Sequence, residues 1–70
     1  MEQFESTSSA IARVGYEPSG RVLEVVFRGG GTYRYFGVEA RRYDALCAAE
    51  SQGRYLNREI KPRYAFERVR

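Results

Sequence analysis

The sequence lacks histidine and tryptophan, and it contains a single cysteine, Cys47, among its 70 residues. One cysteine cannot form a disulfide within the chain, and without histidine a Ser-His or Cys-His nucleophile pair cannot be assembled. A single thiolate without any imidazole does not make a zinc site. The acidic residues are spread over different predicted elements and form no evident acid/base pair. We therefore predict a protein that is not an enzyme and that holds no metal or cofactor.

Long hydrophobic runs are also missing, since no stretch approaches the ~18 apolar residues of a membrane span. The first ten residues are acidic and lack the basic and apolar regions of a signal peptide. A single cysteine without a secretion signal is typical of a reducing compartment. The sequence thus predicts a cytoplasmic protein with no membrane partner.

The composition is that of an ordered globule, with 43% hydrophobic residues, six tyrosines and four phenylalanines. A chain of this length buries only ~60% of the surface that its unfolded form exposes, so it forms one small domain. Residues 1–9 are rich in Ser, Thr and Glu, and they predict a flexible N-terminal arm. Residues 10–70 are expected to form the single folded domain.

Turn chemistry and alternation predict an antiparallel meander of three strands. The first strand begins at Ile11, the turn Glu17–Gly20 contains Pro18, and Gly29–Gly31 closes a second hairpin. The cross-strand pairs that follow are Val14–Leu23, Ala12–Val25, Arg13–Glu24, Phe27–Tyr33 and Val25–Tyr35. The predicted inner face is Ala12, Val14, Leu23, Val25, Phe27, Tyr33 and Tyr35. The predicted outer face is Ile11, Arg13, Val22, Glu24, Val26, Arg34 and Phe36.

Residues 38–53 have the 3.6-residue period of a helix, with Val38, Tyr43 and Leu46 near one stripe. Gly53 is the expected stop, and Cys47 is expected to be a small buried apolar group within this helix. The predicted fold is a small α+β domain in which the three-stranded meander packs against this main helix.

Beyond the main helix the pattern leaves two alternatives open. Tyr55, Leu56 and Ile60 fit a short second helix that ends before Pro62. Alternatively, Asn57 is a left-handed stop after one turn, and Ile60 lies in extended chain. The final stretch, YAFERV, is a candidate C-terminal strand.

The net charge of +3 is unevenly distributed, because six basic residues lie in residues 54–70 against only two acids. Arginines that alternate with aromatic residues suit single-stranded nucleic acid, where rings stack on bases and cations contact phosphates. RNA or another nucleic acid is therefore the first candidate partner. The alternative is a solvated face whose aromatic rings complete the core. The candidate nucleic-acid-binding residues are Arg34, Arg54, Tyr55, Arg58, Lys61, Arg63 and Tyr64.

The predicted outer sheet face supports a different hypothesis, because it is unusually apolar for a face in water. It would suit a protein-interaction or self-association module. A small phage or mobile-element protein that acts on a host target is a further form of this alternative.

An ordered series of residues resembles a known family. Its members are Ser8, Ser9, Ile11, Gly15, Tyr16, Leu23, Val25, Phe27, Tyr33, Tyr35, Ala49, Ser51, Gly53, Tyr55, Asn57, Ile60, Tyr64 and Phe66. In order and spacing the chain resembles the KTSC domain, a short module named for the C-terminus of some lysyl-tRNA synthetases and also found alone in small bacterial proteins. The resemblance implies RNA binding, by analogy with the attached synthetase, and it implies no aminoacylation.

Overall fold

The strands of the sheet follow one another in chain order. The computed structural model describes residues 2–6 and 8–70, with the backbone alone at Glu2. Its five-stranded antiparallel sheet has the order β1-β2-β3-β4-β5. The strands are β1 (Glu2–Glu5), β2 (Ile11–Glu17), β3 (Val22–Phe27), β4 (Thr32–Phe36) and β5 (Phe66–Arg68). The helices are α1 (Ala40–Ala48) and α2 (Gln52–Tyr55), and α2 continues into a π-helical segment, Leu56–Ile60. The α+β class is confirmed, but the sheet has more strands than the three predicted.

β1 corrects the prediction of a flexible arm over residues 1–9, of which Met1 and Thr7 lie outside the described residues. Residues 2–5 pair with β2, and Phe4 lies opposite Val14. The ring of Phe4 lies 6.1 Å from that of Tyr43 on α1. The pairing with β2 and the contact of Phe4 with Tyr43 hold the segment in place, whereas its polar composition predicts a loose chain.

The first hairpin of the meander has a different register from the predicted one. Val14 lies opposite Val25, and Glu17 lies opposite Val22. The connecting turn therefore comprises residues 18–21, of which Arg21 has a positive φ of 54°. The predicted turn at Glu17–Gly20 started one residue too early. The predicted pairs Val14–Leu23, Ala12–Val25 and Arg13–Glu24 are therefore wrong.

The second hairpin is shifted by the same amount. The Phe27 amide donates a hydrogen bond to the Gly31 carbonyl at 3.0 Å, so residues 28–30 form the loop. Val25 consequently lies opposite Tyr33, and the predicted pairs Phe27–Tyr33 and Val25–Tyr35 are wrong. Because each partner moves by two residues, the side chains of the meander from Arg13 onwards stay on their predicted faces. Val14, Leu23, Val25 and Tyr35 are indeed buried together.

A β-bulge corrects the prediction for the start of β2. The register shifts between Ile11, which lies opposite Phe27, and Arg13, which lies opposite Val26. The extra residue, Ala12, reverses the alternation locally. Ile11 was predicted on the outer face but is fully buried in the core.

The helices cover the inner face of the sheet. The hydroxyl of Tyr16 donates to the carbonyl oxygen of Val38 at 2.6 Å, and the ring of Tyr16 stacks on that of Tyr43 at 4.7 Å. The buried core consists of Ile11, Val14, Tyr16, Leu23, Val25, Tyr35, Val38, Tyr43, Leu46, Leu56 and Ile60.

The main helix is shorter than predicted. α1 ends at Ala48 because Ala49 is extended, and Ser51 then caps α2 by accepting a hydrogen bond from the Arg54 amide at 3.3 Å. Gly53 is not the stop, since it lies inside α2. Cys47 is exposed, so the prediction of its burial is wrong.

The structure selects one of the two alternatives for the following segment. Leu56 and Ile60 are both buried in a continuous second helical segment, and Asn57 lies within it rather than ending it. The C-terminal strand is confirmed as β5, which pairs with β4. Within the described residues, none of the helices has the length and apolar character needed to cross a membrane.

Candidate functional site

The predicted nucleic-acid-binding residues do not form one surface. Arg34 lies on the outer face of the sheet, opposite Glu24 in β3 and Glu67 in β5. Its Nε lies 4.0 Å from a carboxylate oxygen of Glu24. The other candidates follow α1 in the chain, on the helical side of the sheet. Arg34 is therefore separated from the rest of the predicted set.

Tyr55 and Tyr64 use their hydroxyls within the protein. Both accept hydrogen bonds from Arg42: Nη1 donates to Tyr55 at 3.4 Å, and Nε donates to Tyr64 at 3.3 Å. Tyr64 in turn donates to Glu39 at 2.7 Å, and Arg42 also binds Glu59 at 3.2 Å. We call Glu39, Arg42, Tyr55, Glu59 and Tyr64 the Arg42 network. It ties α1 to the second helical segment and to the chain leading into β5.

The electrostatics of this network are internally compensated. The hydrogen bond from Tyr64, together with a backbone hydrogen bond, lowers the pKa of Glu39 to about 2. Hydrogen bonds to Tyr55 and Tyr64 raise the pKa of Arg42 above its ordinary value. Burial, followed by the hydrogen bond to Glu39, raises the pKa of Tyr64. The network therefore holds these groups in fixed ionisation states near neutral pH.

Two of the predicted arginines also bind the network. Arg58 and Arg63 each contact a carboxylate oxygen of Glu59 at 3.2 Å. Arg54 and Arg58 line a shallow depression between α1 and α2, which also contains Glu50. Both arginines are exposed; Glu50 lines the same depression, and Glu59 pairs with Arg58. The arrangement is typical of a charged face that stabilises the helices.

A second set of residues forms an open cavity on the inner face of the sheet. We call it the aromatic groove; its volume is about 400 Å³, and it is lined by Phe27, Gly30, Tyr33, Tyr35, Lys61 and Phe66. The ring of Tyr33 lies 5.6 Å from that of Phe27 and 5.9 Å from that of Phe66. Phe66 is 58% exposed although it is a large apolar side chain. The groove thus presents aromatic surface to solvent.

Two cations flank these rings. The ammonium nitrogen of Lys61 lies 5.2 Å from the ring centroid of Phe27, and the guanidinium carbon of Arg68 lies 5.8 Å from that of Tyr33. The lining residues include no carboxylate. Gly31 permits the close approach of the Tyr33 ring: its φ is +94°, and a Cβ there would lie 3.2 Å from that ring. Lys61 is the one predicted site residue that lines the groove.

The sequence prediction missed Phe27, Tyr33, Phe66 and Arg68 as surface residues. Alternation correctly predicts Phe27 and Tyr33 on the inner face, but it does not indicate which part of that face the helices leave open. The available signal was the YAFERV strand. Paired with β4, it brings Phe66 to the same face as Tyr35, where Phe66 stays 58% exposed.

The outer face of the sheet is less apolar than predicted. Glu24, Arg34 and Glu67 form a cross-strand row of alternating charge. Val22 and Val26 are half-buried, and Phe36 is 39% exposed. With Ile11 in the core, Phe36 is the large apolar side chain that this face exposes. In the described part of the chain, no group of three or more acidic or cysteine side chains could hold a metal ion.

Comparisons with known proteins agree along most of the chain. The family profile of the KTSC domain matches residues 7–64. A protein from Tsukamurella paurometabola is 47% identical over 57 residues, covering 81% of this chain and 85% of the relative. A lysine–tRNA ligase from Nostoc punctiforme is 33% identical over 61 residues, which cover 87% of this chain but 11% of the ligase. The crystal structure of a KTSC domain protein from Yersinia pestis matches with a TM-score of 0.93 and 35% identity, covering 99% of this chain and 97% of that chain.

Proposed function

The chain belongs to the KTSC domain family, and from this premise we propose that it is a small non-catalytic module that binds single-stranded RNA, or another single-stranded nucleic acid, in the aromatic groove. The observation that carries the proposal is the exposed ring of Phe66 beside Tyr33 and Phe27, with Lys61 and Arg68 at their faces. Aromatic surface and positive charge are here combined in one place.

Single-stranded nucleic acid suits this combination better than an apolar partner does. Bases that stack on aromatic side chains contribute about 1–3 kcal/mol each, and they do so with little regard to sequence. The phosphates of the same strand favour Lys61 and Arg68, which meet no carboxylate among the groove-lining residues. The net charge of +3 attracts a polyanion over a longer range.

The relatives offer a second line of support. One protein with a similar segment is named a lysine–tRNA ligase, so a domain of this kind occurs in a protein whose name states a tRNA substrate. The proposal for this chain concerns binding alone, since it corresponds to 11% of that ligase.

The test is a titration of isotope-labelled protein with a short single-stranded RNA at about 50 mM and about 200 mM salt. We expect amide shifts to cluster at Phe27, Tyr33, Lys61 and Phe66, and binding to weaken as salt rises. Phe66→Ala should reduce affinity about 5- to 100-fold, which corresponds to the loss of one stacked base. Its stability should change little because the ring is 58% exposed.

Phe36→Ala is the matched control. Phe36, on β4, is an exposed phenylalanine like Phe66, but it belongs to the outer face of the sheet. It should bind RNA as tightly as the unmodified protein. Shifts confined to residues 54–58 would contradict the groove as the site. Absence of shifts, together with a dimeric mass in sedimentation, would favour self-association through the outer face.

A further inference from the structure

Tyr35 is one of the residues that line the aromatic groove. Tyr35 is 2% exposed, and among the described residues its hydroxyl has no hydrogen-bond partner. Every fully buried side-chain oxygen and nitrogen in the described part of the chain does have one. The Tyr35 hydroxyl must therefore retain some contact with solvent, and the open cavity that Tyr35 lines is the aromatic groove.

This situation is unusual for a buried tyrosine, because such hydroxyls normally find a hydrogen-bond partner. The other buried tyrosine of the sheet, Tyr16, donates to the Val38 carbonyl. Burial raises the pKa of Tyr35, so the hydroxyl is neutral at physiological pH and can both donate and accept. It can therefore satisfy either kind of group on a ligand that enters the groove.

We propose that the groove seats one unpaired nucleobase, whose face stacks on Phe66 and whose polar edge hydrogen-bonds to the Tyr35 hydroxyl. This inference rests on the proposed function and adds a base-reading contact to it. The volume of about 400 Å³ is at the small end of the range for ligand sites and suits one nucleotide. Lys61 and Arg68 at the rim favour a ring attached to an anionic backbone over the aromatic side chain of a peptide.

The decisive variant is Tyr35→Phe, which removes the hydroxyl and keeps the ring. The probes are pentamers of adenylate, cytidylate and uridylate, and a pentamer whose central nucleotide is abasic. We expect Tyr35→Phe to lose about 3- to 10-fold in affinity for at least one of the three homopolymers, the worth of one hydrogen bond. Affinity for the abasic pentamer should be unchanged, and so should the melting temperature.

Tyr16→Phe is the matched control, since it removes a buried hydroxyl that is bonded to Val38 rather than open to the groove. It should lower the melting temperature and leave RNA affinity unchanged, the reverse of Tyr35→Phe. If Tyr35→Phe binds all three homopolymers as tightly as the unmodified protein, the base-reading inference is overturned and the proposed function stands. Equal losses on the abasic pentamer would also overturn it. If the unmodified protein binds none of the pentamers, the proposed function itself falls.

Discussion

Tyr64 lies between an acid and a base, since its hydroxyl donates to Glu39 and accepts from Arg42. The Tyr35 hydroxyl has the same chemistry, but in the part of the chain that the structure describes it has no hydrogen-bond partner. The sequence does not indicate which of these two hydroxyls has hydrogen-bond partners, because both tyrosines occur in similar alternations of tyrosine and arginine. The difference comes from Arg42 on α1, which the fold brings to Tyr64 and not to Tyr35.

The Arg42 network has a pH signature at Glu39. The pKa of this carboxyl falls from an ordinary 4.5 to about 2 in the folded protein, chiefly through Tyr64. A depressed acid pKa contributes stability above about pH 4.5 that is lost as pH falls towards 2. Tyr64→Phe should raise the pKa of Glu39, as measured by carbon-detected NMR titration. The difference in unfolding free energy between this variant and the unmodified protein should then shrink as the pH falls from 4.5 to 2.

The control for this prediction is Tyr55→Phe, which removes another hydrogen bond to Arg42 without touching Glu39. Its deficit in unfolding free energy should stay constant over the same pH range. If Glu39 keeps its low pKa in Tyr64→Phe, the hydrogen bond from Tyr64 is not the cause of the depression.

At the scale of elements, the N-terminal strand is ordered although its composition predicts a flexible segment. β1 is made of Glu, Gln and one Phe, and it is held at the sheet edge by pairing with β2 and by the contact of Phe4 with Tyr43. The carbonyl oxygens of Ser6 and Ser8, which follow it, accept hydrogen bonds from Arg28 at 2.7 and 2.8 Å. Backbone pairing, one apolar contact and the hydrogen bonds from Arg28 thus order a segment whose average composition predicts a loose chain.

Phe4→Ala should therefore lower the free energy of unfolding by about 1–3 kcal/mol, less than the 3–5 expected for a fully buried ring. In a domain of this size that corresponds to a drop in melting temperature of at least about 4 °C. Gln3→Ala is the control, because Gln3 is the exposed neighbour in the same strand, and it should change stability by less than about 0.5 kcal/mol. If Phe4→Ala is as stable as Gln3→Ala, the result would support the prediction of a flexible N-terminal arm instead.

The hairpins show which features of a sheet can be predicted from the sequence. Alternation placed Tyr33 and Tyr35 on the inner face, and the structure confirms both positions. The predicted register is wrong because turn residues locate a loop only to within one residue. They do not determine which two residues flank the loop and pair with each other. Arg21 illustrates the limit: it has a positive φ of 54°, a conformation that glycine adopts more readily than arginine does.

At the scale of the whole molecule, the two faces of the sheet have opposite characters. The outer face carries the alternating row of Glu24, Arg34 and Glu67, and the inner face carries the core and the aromatic groove. The groove joins residues from β3, β4, β5 and the end of the π-helical segment. The groove depends on tertiary contacts between distant parts of the chain. Local sequence patterns can therefore indicate individual lining residues, but not that these residues lie together.

The chain order of the strands has a consequence for folding. Neighbouring strands in the sheet are neighbours in sequence except at the β4–β5 pair, which the two helices separate. Topologies dominated by local contacts close small loops and fold fast, whereas distant pairings form late. The docking of β5 is therefore expected to be the last event of folding, and Phe66 arrives with it. In hydrogen exchange, the amide of Val69, bonded to Thr32 at 2.8 Å, should exchange before those of β3. Equal protection would show that the groove opens only when the whole domain unfolds.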